Sequence, residues 1–310
     1  MSANGEERKP ARPESREGVR GDRPTQKERG GAPAGAKGRP AARGGRERPA
    51  GGRDPGGHHW YYGIHAVRAA LQNPRRTCHL LLATKQALER LGRAVERPGL
   101  EIRIVSPREV ARVLPEGATH QGVALKVAPL PPVPLERILA IQGPRSLFLM
   151  LDQITDPRNM GAILRTAVAM GVNAVVVQER RSAELNGACA RAAAGAVDMI
   201  PVVEVVNLTR ALLRLKEAGY RVTGLDAEAP TPIEALADAP RRVLVFGSEG
   251  SGIRRLVGET CDELARITTD PRMESLNVSV AAGIALYVVR RVLPRTGTAA
   301  APEPQAVPAS

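Results

Sequence analysis

The chain reads as an α/β protein, and three features of the sequence say so. Strand-length apolar runs alternate with amphipathic stretches from about residue 145 to 294, the pattern of a mostly parallel sheet covered by helices on both faces. A shorter version of the same alternation precedes it over residues 58–128. Polar, glycine-bearing turns sit where three of the predicted strands end, and open α/β sheets place their ligand sites there.

Length and composition bound the rest. With 310 residues the chain can hold one large domain or two ordinary ones. A formal charge of +13 points to an acidic polymer as partner, and nucleic acid fits best. Aromatic residues are only 2% of the chain, so backbone and shape contacts must outweigh base stacking. No apolar run approaches the roughly 20 residues of a membrane span. The polar N-terminus lacks a secretory signal, so a cytoplasmic location is expected. Cys78, Cys189 and Cys261 are odd in number and far apart, so reduced thiols are expected rather than a disulfide framework or a metal site.

The elements follow in order. Residues 1–57 hold 13 Gly and 7 Pro, with 14 Lys+Arg against 8 Asp+Glu, and read as a disordered basic arm. Its Arg-Gly pairs suit loose attachment to RNA phosphates, and a solubilising tail is the equal alternative. Order begins near His58, with a helix over 64–71, a strand over 80–83, a helix over 86–95 and an alternating strand over 100–105. Ser106-Pro107-Arg108-Glu109 is a helix start with a capping pair, and a strand over 119–127 completes a small α/β unit. Residues 129–144 are Pro-rich and read as a stiff, extended linker. In the larger unit, strands are predicted over 147–153, 173–178, 220–225, 242–247 and 264–268. Helices are predicted over 159–170, 183–194, 207–218, 232–238 and 252–259, with Asn207 capping one and Gly219 closing it. A long apolar helix over 276–293 ends at Pro294, with Ser275 or Asn277 as its cap. Residues 295–310 read as a disordered tail.

Three strand ends carry the chemistry. The first is Asp156-Pro157-Arg158-Asn159-Met160-Gly161-Ala162-Ile163-Leu164-Arg165-Thr166. Ala162, Arg165, Thr166 and Ala169 share one helix face, which sets an arginine among small residues that something can approach closely. A plain surface arginine is the alternative. The second is Val243 to Ile253, a buried strand entering Gly247-Ser248-Glu249-Gly250-Ser251-Gly252. It lacks the endings of a phosphate loop or a dinucleotide fold, and its glycines would let a ligand touch the backbone. The third is Arg266 to Gly283, where Ser279, Ala282 and Gly283 allow close packing against another backbone.

Together these segments resemble the SpoU/TrmH family of RNA ribose 2′-O-methyltransferases. The family's Asn-x-Gly-Ala-Ile-x-Arg-Thr-Ala stands here as Asn159 to Ala167. Its Gly-Ser-Glu-Gly-x-Gly is Gly247 to Gly252, and its Ser-Leu-Asn-Val-Ser-Val-Ala is Ser275 to Ala281. Tyr62 to Val67, Thr119 to Val123 and Ala194 to Val197 further resemble the subgroup that methylates a guanosine ribose of bacterial 23S rRNA.

The resemblance implies an L30e-like RNA-binding domain over 58–128. It also implies a SPOUT methyltransferase domain over 145–294 with a deep trefoil knot at its C-terminal end, which pattern reasoning alone would exclude. It makes Arg165 the catalytic arginine, with Asn159, Glu249, Ser275 and Asn277 orienting the site. Gly247, Gly250, Ile267, Leu276 and Asn277 would hold S-adenosylmethionine, and no metal is required. A guanidinium is too basic to serve as a base, so charge stabilisation and phosphate anchoring suit Arg165 better. His65, Arg68, His120, Gln121 and Arg158 are the candidates for RNA contact. For the two histidines a core hydrogen bond is the other reading. A homodimer through the methyltransferase domain is implied as well. The chain departs from the family at Thr268-Thr269-Asp270-Pro271, where Pro-Met and a following glycine are usual. The other functions that remain open are methylation of tRNA or of another rRNA site, and a non-catalytic ribosome-assembly factor. Undegraded first and second motifs favour the enzyme.

Overall fold

The computed structural model describes residues 57–273 and 275–292, so the basic arm over 1–56 and the tail from 293 lie outside it. The first elements are β1 (His59–Tyr62), α1 (Ile64–Gln72), β2 (Cys78–Ala83), α2 (Lys85–Leu91), β3 (Glu101–Ile104), α3 (Pro107–Arg112) and β4 (Val123–Val127). Their strands form one sheet in the order β1-β4-β2-β3, parallel only between β2 and β3.

The capping pair at Ser106 is present. The Ser106 hydroxyl accepts from the Glu109 amide at 3.4 Å, and the Glu109 carboxylate accepts from the Ser106 amide at 2.8 Å. Two predicted elements are shorter than expected. The helix over 86–95 stops at Leu91 because Gly92 takes φ +58°, and a 3-10 turn fills Gly92–Val95. The strand over 119–127 starts at Val123, since Gln121 and Gly122 form a left-handed turn at φ 56° and 78°. The alternation of β3 is real, but Ile102 and Ile104 are 39% and 58% exposed because the strand is an edge.

The linker reading needs correction. Leu135–Ala140 is a helix, α4, whose Leu135 and Ile138 are buried against the large sheet. Only residues 129–134 are extended.

The larger part follows as β5 (Ser146–Leu151), α5 (Pro157–Ala169), β6 (Ala174–Gln178), α6 (Gly187–Ala192), β7 (Val202–Val205), α7 (Leu208–Glu217), β8 (Arg221–Leu225), β9 (Thr231–Pro232), β10 (Arg241–Phe246), α8 (Arg255–Thr260), β11 (Glu263–Arg266) and α9 (Val278–Val292). Seven strands pair in the order β7-β6-β5-β10-β8-β11-β9, all parallel. Successive side chains of a strand face opposite sides, and the core divides accordingly. Leu147, Leu149, Leu151, Leu244 and Phe246 face α5, α6 and α9, while Phe148, Met150, Val243 and Val245 face α4, α7 and α8. The helix predicted over 232–238 is instead β9 and a 3-10 turn, Ile233–Ala235, which ends where Leu236 takes an extended conformation. The helix predicted over 183–194 shrinks to α6, capped by the Asn186 side chain, and β7 arises in a stretch read as connection.

The two sheets share a core. One cluster of buried residues runs from Tyr61, Ile64 and Val67 through Cys189 and Val197 to Leu149 and Leu286. A buried ion pair crosses the same boundary. Arg76 Nε donates to Asp198 at 2.8 Å, both side chains being 2% or less exposed, and a second Arg76 nitrogen donates to the Tyr61 hydroxyl at 3.2 Å. Backbones also meet directly. A Cβ on Gly195 would lie 2.6 Å from that of Ala69, and one on Gly187 would collide with the Trp60 carbonyl.

Candidate active site

The site forms where the chain leaves β5, β10 and β11, at the carboxyl ends of parallel strands. Asp152, fully buried just beyond β5, anchors it. The Arg254 guanidinium donates to Asp152 Oδ1 at 2.8 Å, and the Arg254 amide donates to Oδ2 at 3.1 Å. This tie fixes the far end of the 247–252 loop against β5. The sequence reading missed it, although a carboxylate directly after a fully apolar strand was a signal.

The 247–252 loop closes on itself. The Ser248 amide donates to the Gly252 carbonyl at 3.1 Å, and the Gly252 amide returns to Ser248 at 2.9 Å. A Cβ on Gly247 would collide with Gly252, so the missing side chain makes room for the loop's own turn. Gly250, at φ +86°, has open space where a side chain would be.

Three distant segments then meet on one oxygen. Glu249 Oε1 accepts from Asn159 Nδ2 at 3.0 Å, from Asn277 Nδ2 at 2.6 Å and from the Val278 amide at 3.3 Å. Asn277 Nδ2 also donates to Asn159 Oδ1 at 3.1 Å. The negative Glu249 thus sits at the N-terminus of α9, where unpaired amides and the helix dipole favour an anion. Asn277 Oδ1 accepts from the Ser279 amide at 2.9 Å and from its hydroxyl at 2.5 Å, which settles the cap of α9 on Asn277 rather than Ser275.

The remaining predicted site residues lie around this network. Arg165 stands six residues beyond Asn159 on α5, exposed and without a side-chain partner among the described residues. Ser275 is exposed and outside the network. Ile267 and Leu276 are half-buried, and neither backbone amide bonds another described residue, which leaves donors free beside apolar surface. The divergent loop is self-contained. Asp270 accepts from the Arg272 amide and guanidinium at 2.9–3.0 Å, and that guanidinium holds the carboxyl below its ordinary range.

Of the RNA candidates, His65 and Arg158 are exposed, and the Arg68 guanidinium donates to the Arg90 carbonyl. His120 Nδ1 accepts from the Gly122 amide at 3.1 Å, and Gln121 Oε1 accepts from the Ile64 amide at 3.0 Å. These two shape their turn and cap α1, whose Gly63 has no side chain to do so. Ser279, Ala282 and Gly283 do not form a free face: Ala282 is buried, and a Cβ on Gly283 would lie 3.8 Å from Thr166 of α5. Burial pushes the Cys189 thiol up to about 12 and the Cys261 thiol to about 11. Among the described residues no helix is long and apolar enough to cross a membrane, and no group of three His, Cys, Asp or Glu could hold a metal ion.

Comparison with known proteins places this geometry. Residues 146–287, which contain all three motifs, match the SpoU rRNA Methylase family. The 23S rRNA (guanosine-2'-O-)-methyltransferase RlmB of Xylella fastidiosa (strain 9a5c) is 38% identical over 235 residues, 74% of this chain and 94% of the relative. The chain belongs to the SpoU family. Its RlmB relative in Pseudomonas aeruginosa is 41% identical over 236 residues, with 74% and 95% coverage. Residues 60–133 match a second description, RNA 2'-O ribose methyltransferase substrate binding, and span the small sheet. The SpoU methyltransferase AviRb from Streptomyces viridochromogenes, in complex with AdoMet, has the same fold. It is 20% identical at a TM-score of 0.66, over 76% of this chain and 90% of that one.

Proposed function

We propose that this SpoU protein catalyses S-adenosylmethionine-dependent 2′-O-methylation of a guanosine ribose in 23S rRNA. The observation that carries the reading is the meeting of Asn159, Glu249 and Asn277, separated in sequence by up to 118 residues, in one network at the strand ends. The RlmB relatives, at 38% and 41% identity, support the substrate.

The residues present fit the methyl donor. Backbone donors at Ile267 and Leu276 are unspent beside half-buried apolar side chains, and Gly250 is open. With Gly247 and Asn277 they would hold S-adenosylmethionine. When bound, that cofactor supplies an electrophilic methyl group on a sulfonium. Asn277 and Glu249 fix the start of α9 against Asn159 of α5, so the helix bearing Arg165 is held rigid. The exposed Arg165 guanidinium, unpaired among the described residues, then stabilises negative charge developing on the ribose oxygen, or anchors a neighbouring phosphate.

The small sheet acts as the L30e-like substrate-binding domain, and the methyltransferase domain carries a deep trefoil knot at its C-terminal end. The protein works in the cytoplasm, with the ribosome, as a homodimer. Val280, Ile284 and Tyr287 support the dimer: they lie at i, i+4 and i+7 on α9 and are 50%, 36% and 54% exposed. Sedimentation at micromolar concentration should return twice the chain mass.

Mapping ribose methylation on 23S rRNA and on tRNA, with and without the protein, tests the activity. Arg165→Ala should lower methyl transfer by about 10²–10³-fold while RNA is still bound. Methylation confined to tRNA, or undiminished in Arg165→Ala, would overturn the respective assignment.

A further inference from the structure

The seam between the two sheets leaves hydrogen-bond donors unspent. Tyr62 closes β1 with its ring against Gly187, yet its hydroxyl makes no hydrogen bond among the described residues. Arg191 of α6 reaches this point by crossing the backbone of Gly63, where a Cβ would lie 2.5 Å from Arg191 Cδ. Its Nε donates to the Thr119 carbonyl at 3.3 Å, and its two terminal nitrogens have no partner among the described residues. Arg158 enters from the first turn of α5, which packs on α6 so closely that a Cβ on Gly161 would lie 2.5 Å from the Cys189 carbonyl. Its guanidinium is exposed and likewise unpaired among the described residues. Burial raises the Tyr62 hydroxyl, and the Arg191 and Arg158 charges act to lower it again, while Arg191 lies over Gly63, the residue next to Tyr62.

Two guanidinium charges that act on one hydroxyl, neither paired with an opposite charge among the described residues, favour an anion there. A phosphodiester supplies the missing charge and accepts from all three donors. Direction follows from the helix: Arg158 and Arg165, seven residues apart, share one face of α5, so the seam leads toward the catalytic arginine.

We propose that Tyr62, Arg158 and Arg191 form a phosphate subsite that grips the RNA strand between the small sheet and the reacting ribose. The proposal rests on the RNA methyltransferase reading above. It gives the Thr119–Gly122 turn and Gly63 a function as the mount for Arg191, held by the Thr119 carbonyl at a fixed place on the seam.

The test uses the full chain and a 23S rRNA transcript, with binding followed across a salt series and methyl transfer across an RNA series. Arg158→Ala and Arg191→Ala should each reduce the slope of log K against log salt by about 0.7–1, the signature of one lost phosphate contact. Each should raise KM for RNA by about tenfold, with the effect on KM rather than kcat. Arg191→Lys should keep most of the slope but not the KM, because an ammonium cannot grip two oxygens as a fork. Tyr62→Phe should leave the slope alone and raise KM a few-fold. Calorimetric affinity for S-adenosylmethionine should not change in any variant. A purely structural seam would instead lower the urea midpoint with the salt slope intact, and that result overturns the proposal. If Arg191→Ala fails to fold, Arg158→Ala and Arg191→Lys decide. If the wild-type protein transfers no methyl group, the enzymatic reading fails, and the salt slopes still decide the subsite.

Discussion

Glu249 is the residue on which the site turns. One carboxylate oxygen takes two side-chain amides and a backbone amide from segments that the chain brings together from afar. Removing it leaves three donors without an acceptor and strips the first turn of α9 of its anion. Glu249→Ala should therefore cost about 1–2 kcal/mol of stability, read as a lower urea midpoint, and cut methyl transfer at least tenfold. Glu249→Gln keeps an acceptor oxygen and should recover part of the stability. The sequence marked Asn159, Glu249 and Asn277 as members of one site, but not their mutual bonds. Gln121 and His120 show a local role that spacing did not reveal. Both were candidates for RNA contact, with a hydrogen bond inside the protein as the other reading for His120, and both side chains accept from backbone amides, because constrained amides must find acceptors.

At the scale of elements, the central strands were legible, and of the four edge strands only β3 was. β5, β6 and β10 are flanked on both sides and covered on both faces, so each reads as a continuous apolar run. β1, β7 and β9 escaped the reading, and all three are edge strands of two to four residues. An edge strand pairs on one side only and needs no long apolar signal. The strands β8, β10 and β11 also carry an ion network that pattern reading could not reveal. Arg242, 2% exposed, donates to Glu263 at 2.7 Å, and Arg221 donates to the same carboxylate at 2.7 Å. Burial would raise the Glu263 carboxyl, but hydrogen bonds from Arg221, Arg242 and Thr223 outweigh it and hold the group at about 2. An unfolded glutamate titrates near pH 4.3, roughly, so the unfolded chain binds this proton first as pH falls. The stability contributed is fully present above that value and is lost as pH drops through about 2. Urea unfolding at pH 7 and pH 3 should show the loss, and Glu263→Gln should abolish this part of it. At pH 7 that variant should be less stable by about 3 kcal/mol, since Arg242 would stay buried without its counter-charge.

For the molecule as a whole, the shared core and the Arg76–Asp198 pair tie the small sheet to the large one. Two sheets joined in this way should unfold together rather than as independent domains. Trp60, the single tryptophan, lies in β1 and reports the small sheet, while far-ultraviolet circular dichroism reports the whole chain. Their urea transitions should coincide, and two separated transitions would show that the sheets are energetically distinct. Asp198→Ala strands the Arg76 guanidinium and should lower stability by about 3 kcal/mol, read in both signals. The segments that resembled the 23S subgroup acquire a common place here. Gly63, Thr119 and Gly195 all lie at the seam, with Arg191 laid over the first and bonded to the second.

The sequence by itself determined the alternating α/β architecture, the basic character, and the three strand-end motifs that identify the family. Those signals are local: burial periodicity, capping residues, and glycines at turns are set by nearest neighbours along the chain. Tertiary structure alone decided that residues 135–140 pack as a helix, that Gly247 yields to its own loop, and that the small sheet is locked to the large one. It also laid Arg191 across Gly63, next to Tyr62. Each of these depends on which distant groups the fold brings within hydrogen-bonding or van der Waals reach, and spacing along one chain carries no record of that.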